Sequence, residues 1–318
     1  MTATTVTETT DPTAGRGEHP AGSFTIEVEH LTKRYGEREV VKDLSFTAQP
    51  GRVTGFLGPN GSGKSTTMKV MLDLASADGG GVTIGGCRYR DLPDPSGTVG
   101  ALLESNAFHP GRTGRDHLRI LADADGIALE RVDEVLELVG LDDAADRRVG
   151  AYSLGMRQRL GFAGALLGDP PVLVLDEPAN GLDPKGIHEM RDLLRARAAD
   201  GHTVLVSSHL LGEIELLADD VVVLSRGQLV TSGRLVDLQE VATLVRCSDT
   251  GRLQQLLAGA GAVVAGEDVL TVRGMAIEEI GRRAFDAGIV IHELSPRAGS
   301  LEERFLQWTS TNEEVSEP

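Results

Sequence analysis

Gly58-Pro59-Asn60-Gly61-Ser62-Gly63-Lys64-Ser65 fits the pattern G-x-x-x-x-G-K-[ST]. Glycines at these positions let backbone N–H groups converge on phosphate oxygens with no Cβ in the way. An amphipathic segment from Thr66 to Leu74 follows. As a helix, it would add the positive end of its dipole to the same anion site. Lys64 offers a point charge to the β- and γ-phosphates, and Ser65 offers a hydroxyl to Mg²⁺. The loop follows an apolar run, Val53 to Leu57, which gives the strand–loop–helix context this chemistry requires. A site for Mg-ATP is expected there.

A second set of reactive residues lies downstream. Val172-Leu173-Val174-Leu175-Asp176-Glu177 is a hydrophobic run ending in two acids. As a strand, it would carry both acids to the C-terminal edge of a sheet, where ligands bind in open α/β folds. Asp176 is then expected to hold Mg²⁺ through a water, and Glu177 to polarise the attacking water as general base. His209 ends a third apolar run in Ser207-Ser208-His209. From there it can reach the same edge, hydrogen-bond a γ-phosphate and orient the water and Glu177.

These residues need a scaffold, and the patterning supplies one. Val53 to Leu57, Val172 to Leu175 and Val204 to Val206 are continuously apolar, as in parallel strands covered on both faces by helices. Phe24 to Val28 and Leu44 to Ala48 alternate apolar and polar like half-buried strands, with Pro50-Gly51 as a turn. Helical spacing is read over Leu129 to Val139 and Ile187 to Ala199. After about residue 232 the order reads βαββαβ. Strands are expected near Ala242 to Cys247, Ala262 to Ala265, Val269 to Val272 and Ile289 to Leu294, and helices over Leu253 to Leu257 and Ile277 to Ala287. That order is compatible with a small ferredoxin-like domain. A closing helix is expected over Ser300 to Trp308.

Composition narrows the function. The formal net charge of -17 argues against a nucleic-acid partner, which needs a basic face. Aromatics make up only 3%, so aliphatic side chains must fill the core. Cys87 and Cys247 form neither a CxxC pair nor a zinc-spaced cluster and read as reduced thiols. No apolar run approaches the ~20 residues that cross a bilayer. The Thr-rich N-terminus has no basic or apolar signal region. A role at a membrane would therefore run through a separate membrane partner.

Tyr152-Ser153-Leu154-Gly155-Met156-Arg157-Gln158-Arg159, shortly before the acidic strand, makes the reading more specific. It resembles the ABC signature, usually Leu-Ser-Gly-Gly-Gln-x-Gln-Arg. Ser153 and Gly155 keep its phosphate-facing hydroxyl and N–H, while Tyr152, Leu154 and Met156 depart from it. Ser153 also reads as the N-cap of a basic helix. The Tyr-Ser-x-Gly-Met form is similar to the drug-export and bacteriocin-resistance branch of ABC ATPases. Tyr35 resembles the aromatic that stacks on adenine, and Asn180-Gly181-Leu182-Asp183 resembles the D-loop. Glu104 falls where the family has its Q-loop glutamine. A carboxylate there can still bind Mg²⁺ or water but adds negative charge. Asn106 to Asp116 resembles the segment that touches the membrane subunit, and Ser295-Pro296 through Phe305 resembles the C-terminal end of many exporter subunits.

The resemblance covers about residues 24 to 230. It implies an α/β fold: a P-loop ATPase core with an antiparallel β subdomain and a helical subdomain, followed by the small α+β unit. The expected divisions are a disordered tail over 1–22, the ATPase domain over 23–231, an accessory domain over 232–310 and an acidic tail over 311–318. It also implies a dimer in which each phosphate loop faces the partner's Ser153 and Gly155, with Asp183 nearby. The expected assembly is two ATPase subunits on an ABC-2-type permease, peripheral on the cytoplasmic face of the membrane and engaged in drug, antibiotic or peptide efflux. A non-transport ABC ATPase acting on ribosomes or DNA, and an importer subunit, are the alternatives.

Overall fold

The computed structural model describes residues 24–103, 108–238, 241–258, 262–265 and 269–298. The N-terminal tail, Glu104, the closing helix and the acidic tail lie outside the described residues. The chain opens with two long strands, β1 (Ile26–Tyr35) and β2 (Arg38–Ala48), then β3 (Arg52–Leu57), the phosphate loop and helix α1 (Lys64–Met71). Next come β4 (Gly79–Ile84), a short helix α2 (Pro95–Thr98) and β5 (Val99–Leu102). Helices α3 (Gly114–Asp125), α4 (Glu130–Leu138) and α5 (Leu154–Leu166) lead into β6 (Val172–Asp176). Then follow α6 (Pro184–Ala199), β7 (Thr203–Ser208), α7 (Leu211–Leu217), β8 (Asp220–Ser225), β9 (Gln228–Arg234) and α8 (Leu235–Leu238). The rest is β10 (Val241–Cys247), α9 (Thr250–Leu257), β11 (Ala262–Ala265), β12 (Leu270–Arg273), α10 (Ile277–Asp286) and β13 (Ile291–Ala298).

The central sheet has the order β5-β6-β7-β3-β8-β9. Its strands are parallel except β9, which pairs antiparallel with β8. The apolar runs are buried because alternate residues feed two cores. Val53, Leu173, Leu175, Val204 and Val206 face a cluster with α3 to α6. Phe56, Val172, Val174, Leu205 and Val222 face a second cluster with α1 and the antiparallel sheet β2-β1-β4. β7 lies between β3 and β6, so the loop-bearing strand and the acid-bearing strand are one strand apart.

β1 and β2 extend well beyond the two alternating segments visible in sequence. The pattern is hidden by register shifts and by His30 and Asp43, both at φ 49. Those two side chains meet each other, His30 Nδ1 lying 2.7 Å from Asp43 Oδ1. β9 runs on to Arg234, past the expected boundary at 231, because it stays paired with β8 as far as Asp220. Beyond it the elements follow the order βαββαβ and form a sheet β11-β12-β10-β13 with antiparallel neighbours. Its core is Val245, Leu253, Leu257, Leu270, Val272 and Ile280, with α9 and α10 laid against the sheet.

Candidate active site

β3 delivers the phosphate loop at its C-terminal end, and the loop is built on glycine. Gly61 and Gly63 have φ of 80 and 108, which L side chains rarely adopt. A Cβ on Gly58 would stand 2.5 Å from Leu224 O and from Ser62 Oγ. α1 starts at Lys64 with Gly63 as N-cap and no side-chain cap, so its first N–H groups are left for an anion. Ser62 Oγ is buried with no hydrogen-bond partner. This donor-rich cradle fits a polyphosphate. Lys64 is 6% exposed and donates to Gly58 O at 2.6 Å. Burial lowers its pKa, against the opposing pull of Glu177 and Asp176. Ser65 is exposed and Thr66 half-buried on the same first turn.

A cleft of about 530 Å³ opens beside the loop, lined by Arg38, Lys42, Pro59, Asn60 and Arg226 among others. Three cations thus gather at the phosphate loop of an acidic chain. Tyr35 pairs with Arg38 across the hairpin and is 52% exposed, with Lys33 Nζ 5.2 Å from its ring centre. It stands next to the cleft and does not line it.

β6 places Asp176 and Glu177 at the same sheet edge. Ser207 Oγ, on β7, donates to Asp176 Oδ1 and accepts the Glu177 N–H at 2.9 Å. The Glu177 carboxylate, just past β6, reaches the start of α1 and the residue after β7: Oε1 lies 3.9 Å from Lys64 Nζ, and Oε2 lies 2.8 Å from His209 Nδ1. Among the described residues no cluster of three His, Cys, Asp or Glu side chains suits a metal. A Mg²⁺ here would rest on Ser65, Asp176, water and substrate phosphates, a donor set that fits this ion.

The signature segment forms a separate group. Tyr152 is buried and its hydroxyl donates to Ala144 O at 2.7 Å. Ser153 caps α5, its Oγ accepting from Met156 N at 3.2 Å. Asp183 caps α6 in the same way, accepting from Gly186 N at 3.1 Å. Arg159 ties the two helices together, 3.3 Å from Glu189 and 3.7 Å from Asp183. A Cβ on Gly155 would meet Gly181 O at 2.6 Å, so glycine permits the close approach. Among the described residues, no hydrogen bond or ion pair joins Ser153, Gly155 or Asp183 to the phosphate loop of the same chain. Residues 106 and 107 lie outside the described range. Sequence reasoning missed Ser207, Gln158 and Glu213. The Gln158 amide reaches the backbone of Glu177, and Glu213 lies close enough to Glu177 and His209 to feel their charges.

Residues 41–180 match the ABC transporter family, and residues 241–302 match a domain of unknown function (DUF8746). The chain is 39% identical to the ABC transporter ATP-binding protein YhcH of Bacillus subtilis, over 91% of this chain and 98% of that one. It is 41% identical to the bacitracin transport ATP-binding protein BcrA of Enterococcus faecalis, over 68% of this chain and 71% of that one. A solved ATP-binding subunit of an ABC transporter superposes with a TM-score of 0.62 at 27% identity, covering 82% of this chain and 99% of that one. The phosphate loop, the acid pair and the signature helix therefore sit in a known architecture, and the chain belongs to the ABC transporter ATP-binding proteins.

Proposed function

We propose that the chain binds Mg-ATP on Gly58 to Ser65 and hydrolyses it, with Glu177 as general base and His209 as its orienting partner. The supporting observation is the Glu177 carboxylate, which meets Lys64 and His209 at once. Lys64 and the α1 N-terminus hold the phosphates, and Tyr35 stacks on the adenine. Glu177 takes a proton from the attacking water while His209 fixes the carboxylate's direction. Mg²⁺, held through Ser65 and Asp176, would neutralise charge on the phosphates.

The second half of the site comes from another copy. Among the described residues, no hydrogen bond or ion pair joins Ser153, Gly155 or Asp183 to their own phosphate loop, which supports an ATP-bound sandwich of two chains. Dimer closure then drives a separate permease of the ABC-2 type, and the chain sits on the cytoplasmic face of the membrane through that permease. No helix of the described residues is long and apolar enough to cross a membrane. Export of a drug, antibiotic or peptide is favoured by the bacitracin transport relative. The ATPase unit is assigned to residues 24–238 and a ferredoxin-like accessory unit begins at Val241.

Glu177→Gln tests this reading. The purified variant should bind ATP, stop turning over and elute as an ATP-dependent dimer on size-exclusion chromatography. Turnover at the wild-type rate would remove Glu177 as the base. Co-purification with ribosomes instead of a membrane protein would overturn the transport role.

A further inference from the structure

Glu177 adopts φ 49, a left-handed conformation that a non-glycine residue holds only when its surroundings impose it. Two groups from distant elements do so. Ser207 Oγ takes the Glu177 N–H at 2.9 Å from the side of β7. Gln158, 2% exposed on α5, donates its amide nitrogen to Glu177 O at 3.1 Å and to Pro178 O at 3.0 Å. Both Gln158 Nε2 hydrogens thus find acceptors. A flipped amide would set its oxygen against two carbonyl oxygens, so the orientation is fixed by the contacts. Glu177 O also accepts the Asn180 N–H at 3.2 Å. The turn after β6 is therefore bound to α5 by Gln158 and packed against it through Gly155 and Gly181.

We propose that Gln158 is a positioning residue for Glu177. It fastens the helix that carries Ser153 and Gly155 to the backbone from which the carboxylate reaches Lys64 and His209. This inference rests on Glu177 being the general base. Its physical content is directional. The hydrogen bond to Glu177 O holds the plane of the Glu177–Pro178 peptide, the one to Pro178 O holds the next peptide, and together they set where the Glu177 side chain starts. Releasing them lets the carboxylate drift from the reacting water while the phosphate cradle, built on β3 and α1, stays intact. In the two-chain reading, a nucleotide seated on Ser153 and Gly155 would act through the same helix on the base of its own chain.

Gln158→Met keeps the volume and removes both donors. In the full-length chain it should lower kcat by about ten- to a hundredfold and leave ATP KM and nucleotide affinity within about twofold, as a small misplacement of a reacting group does. The decisive readout is a double-mutant cycle in single-turnover hydrolysis. If Gln158 acts through Glu177, Gln158→Met should have no further effect in the Glu177→Gln background. An equal fold-loss in both backgrounds would show a merely structural role and overturn the proposal. So would an unchanged kcat. Gln158→Asn, which keeps the amide but falls one methylene short, provides the same cycle where the Met variant fails to fold. A fully active Glu177→Gln would instead defeat the general-base reading itself, whereas an inactive Glu177→Gln beside a fully active Gln158→Met would defeat this inference alone.

Discussion

At the scale of single residues, the groups proposed to touch phosphate or water could be picked out in the sequence because their spacing along the chain is local. Gly58 to Ser65 lies within one loop, and Asp176 and Glu177 end one strand. Ser207 and Gln158 were not visible, because each acts on Glu177 through backbone hydrogen bonds spanning 30 and 19 residues. Glu213 was missed for a related reason: its environment is made by folding. Burial pushes its carboxyl above the usual range. The Ser208 hydroxyl pulls it down, Glu177 pushes it up, and His209 pulls it down. The folded state therefore holds this proton more tightly than the unfolded state. Its contribution to stability is complete below the unfolded carboxylate pKa of about 4.3 and is lost as pH rises through the folded value. Glu213→Gln removes that loss. Urea midpoints at pH 4 and pH 7 should show the variant gaining on the wild type at the higher pH. Parallel midpoints would contradict this account.

At the scale of elements, the buried strands β3, β6 and β7 were legible because continuous apolar runs have few other uses in a soluble core. β1 and β2 were only half legible, since the bulges at His30 and Asp43 break the alternation on which a strand is recognised. β4 was hidden by Gly79-Gly80-Gly81, a poor strand sequence that survives because β1 pairs with it. The approach of α5 to the turn at Gly181 was also invisible, although it decides where Ser153 and Gln158 stand. Gly155→Ala tests it. The new Cβ would lie 2.6 Å from a backbone oxygen that no rotamer change can move. We expect a loss of about 1–3 kcal/mol in chemical denaturation, the usual cost of overpacking. A neutral result would mean that α5 slides freely, and would weaken the link from signature to base.

At the scale of the whole molecule, Leu235 and Leu238 close one core of the ATPase unit, the other core ends at Leu229, and among the described residues neither core draws on any residue beyond Leu238. The sheet from β10 onward has a core of its own. A chain ended after Leu238 should therefore still melt cooperatively and bind ATP, as checked by circular dichroism and nucleotide titration. Loss of the cooperative transition would show that the two parts fold as one. The net charge of -17 gave no hint of the cations around the phosphate loop. Charge that is sorted by folding does not appear in a sum over the chain.

The strand between β3 and β6 also acts as a spacer. Adjacent strands stand about 4.8 Å apart, so the ends of β3 and β6 are held about 10 Å apart by two ladders of backbone hydrogen bonds. Neither rotamers nor loops can narrow this gauge. The phosphate loop carries Lys64 past the end of β3 to the start of α1, and side-chain length then bridges to Glu177 just beyond β6, leaving Lys64 Nζ 3.9 Å from Glu177 Oε1. Glu177→Asp keeps the charge but shortens the reach by about one 1.5 Å bond, and the sheet cannot close to compensate. Its hydrolysis rate should fall nearly to that of Glu177→Gln, as single-turnover measurements would show, and a rate near wild type would mean that the gauge is softer than its hydrogen bonds imply.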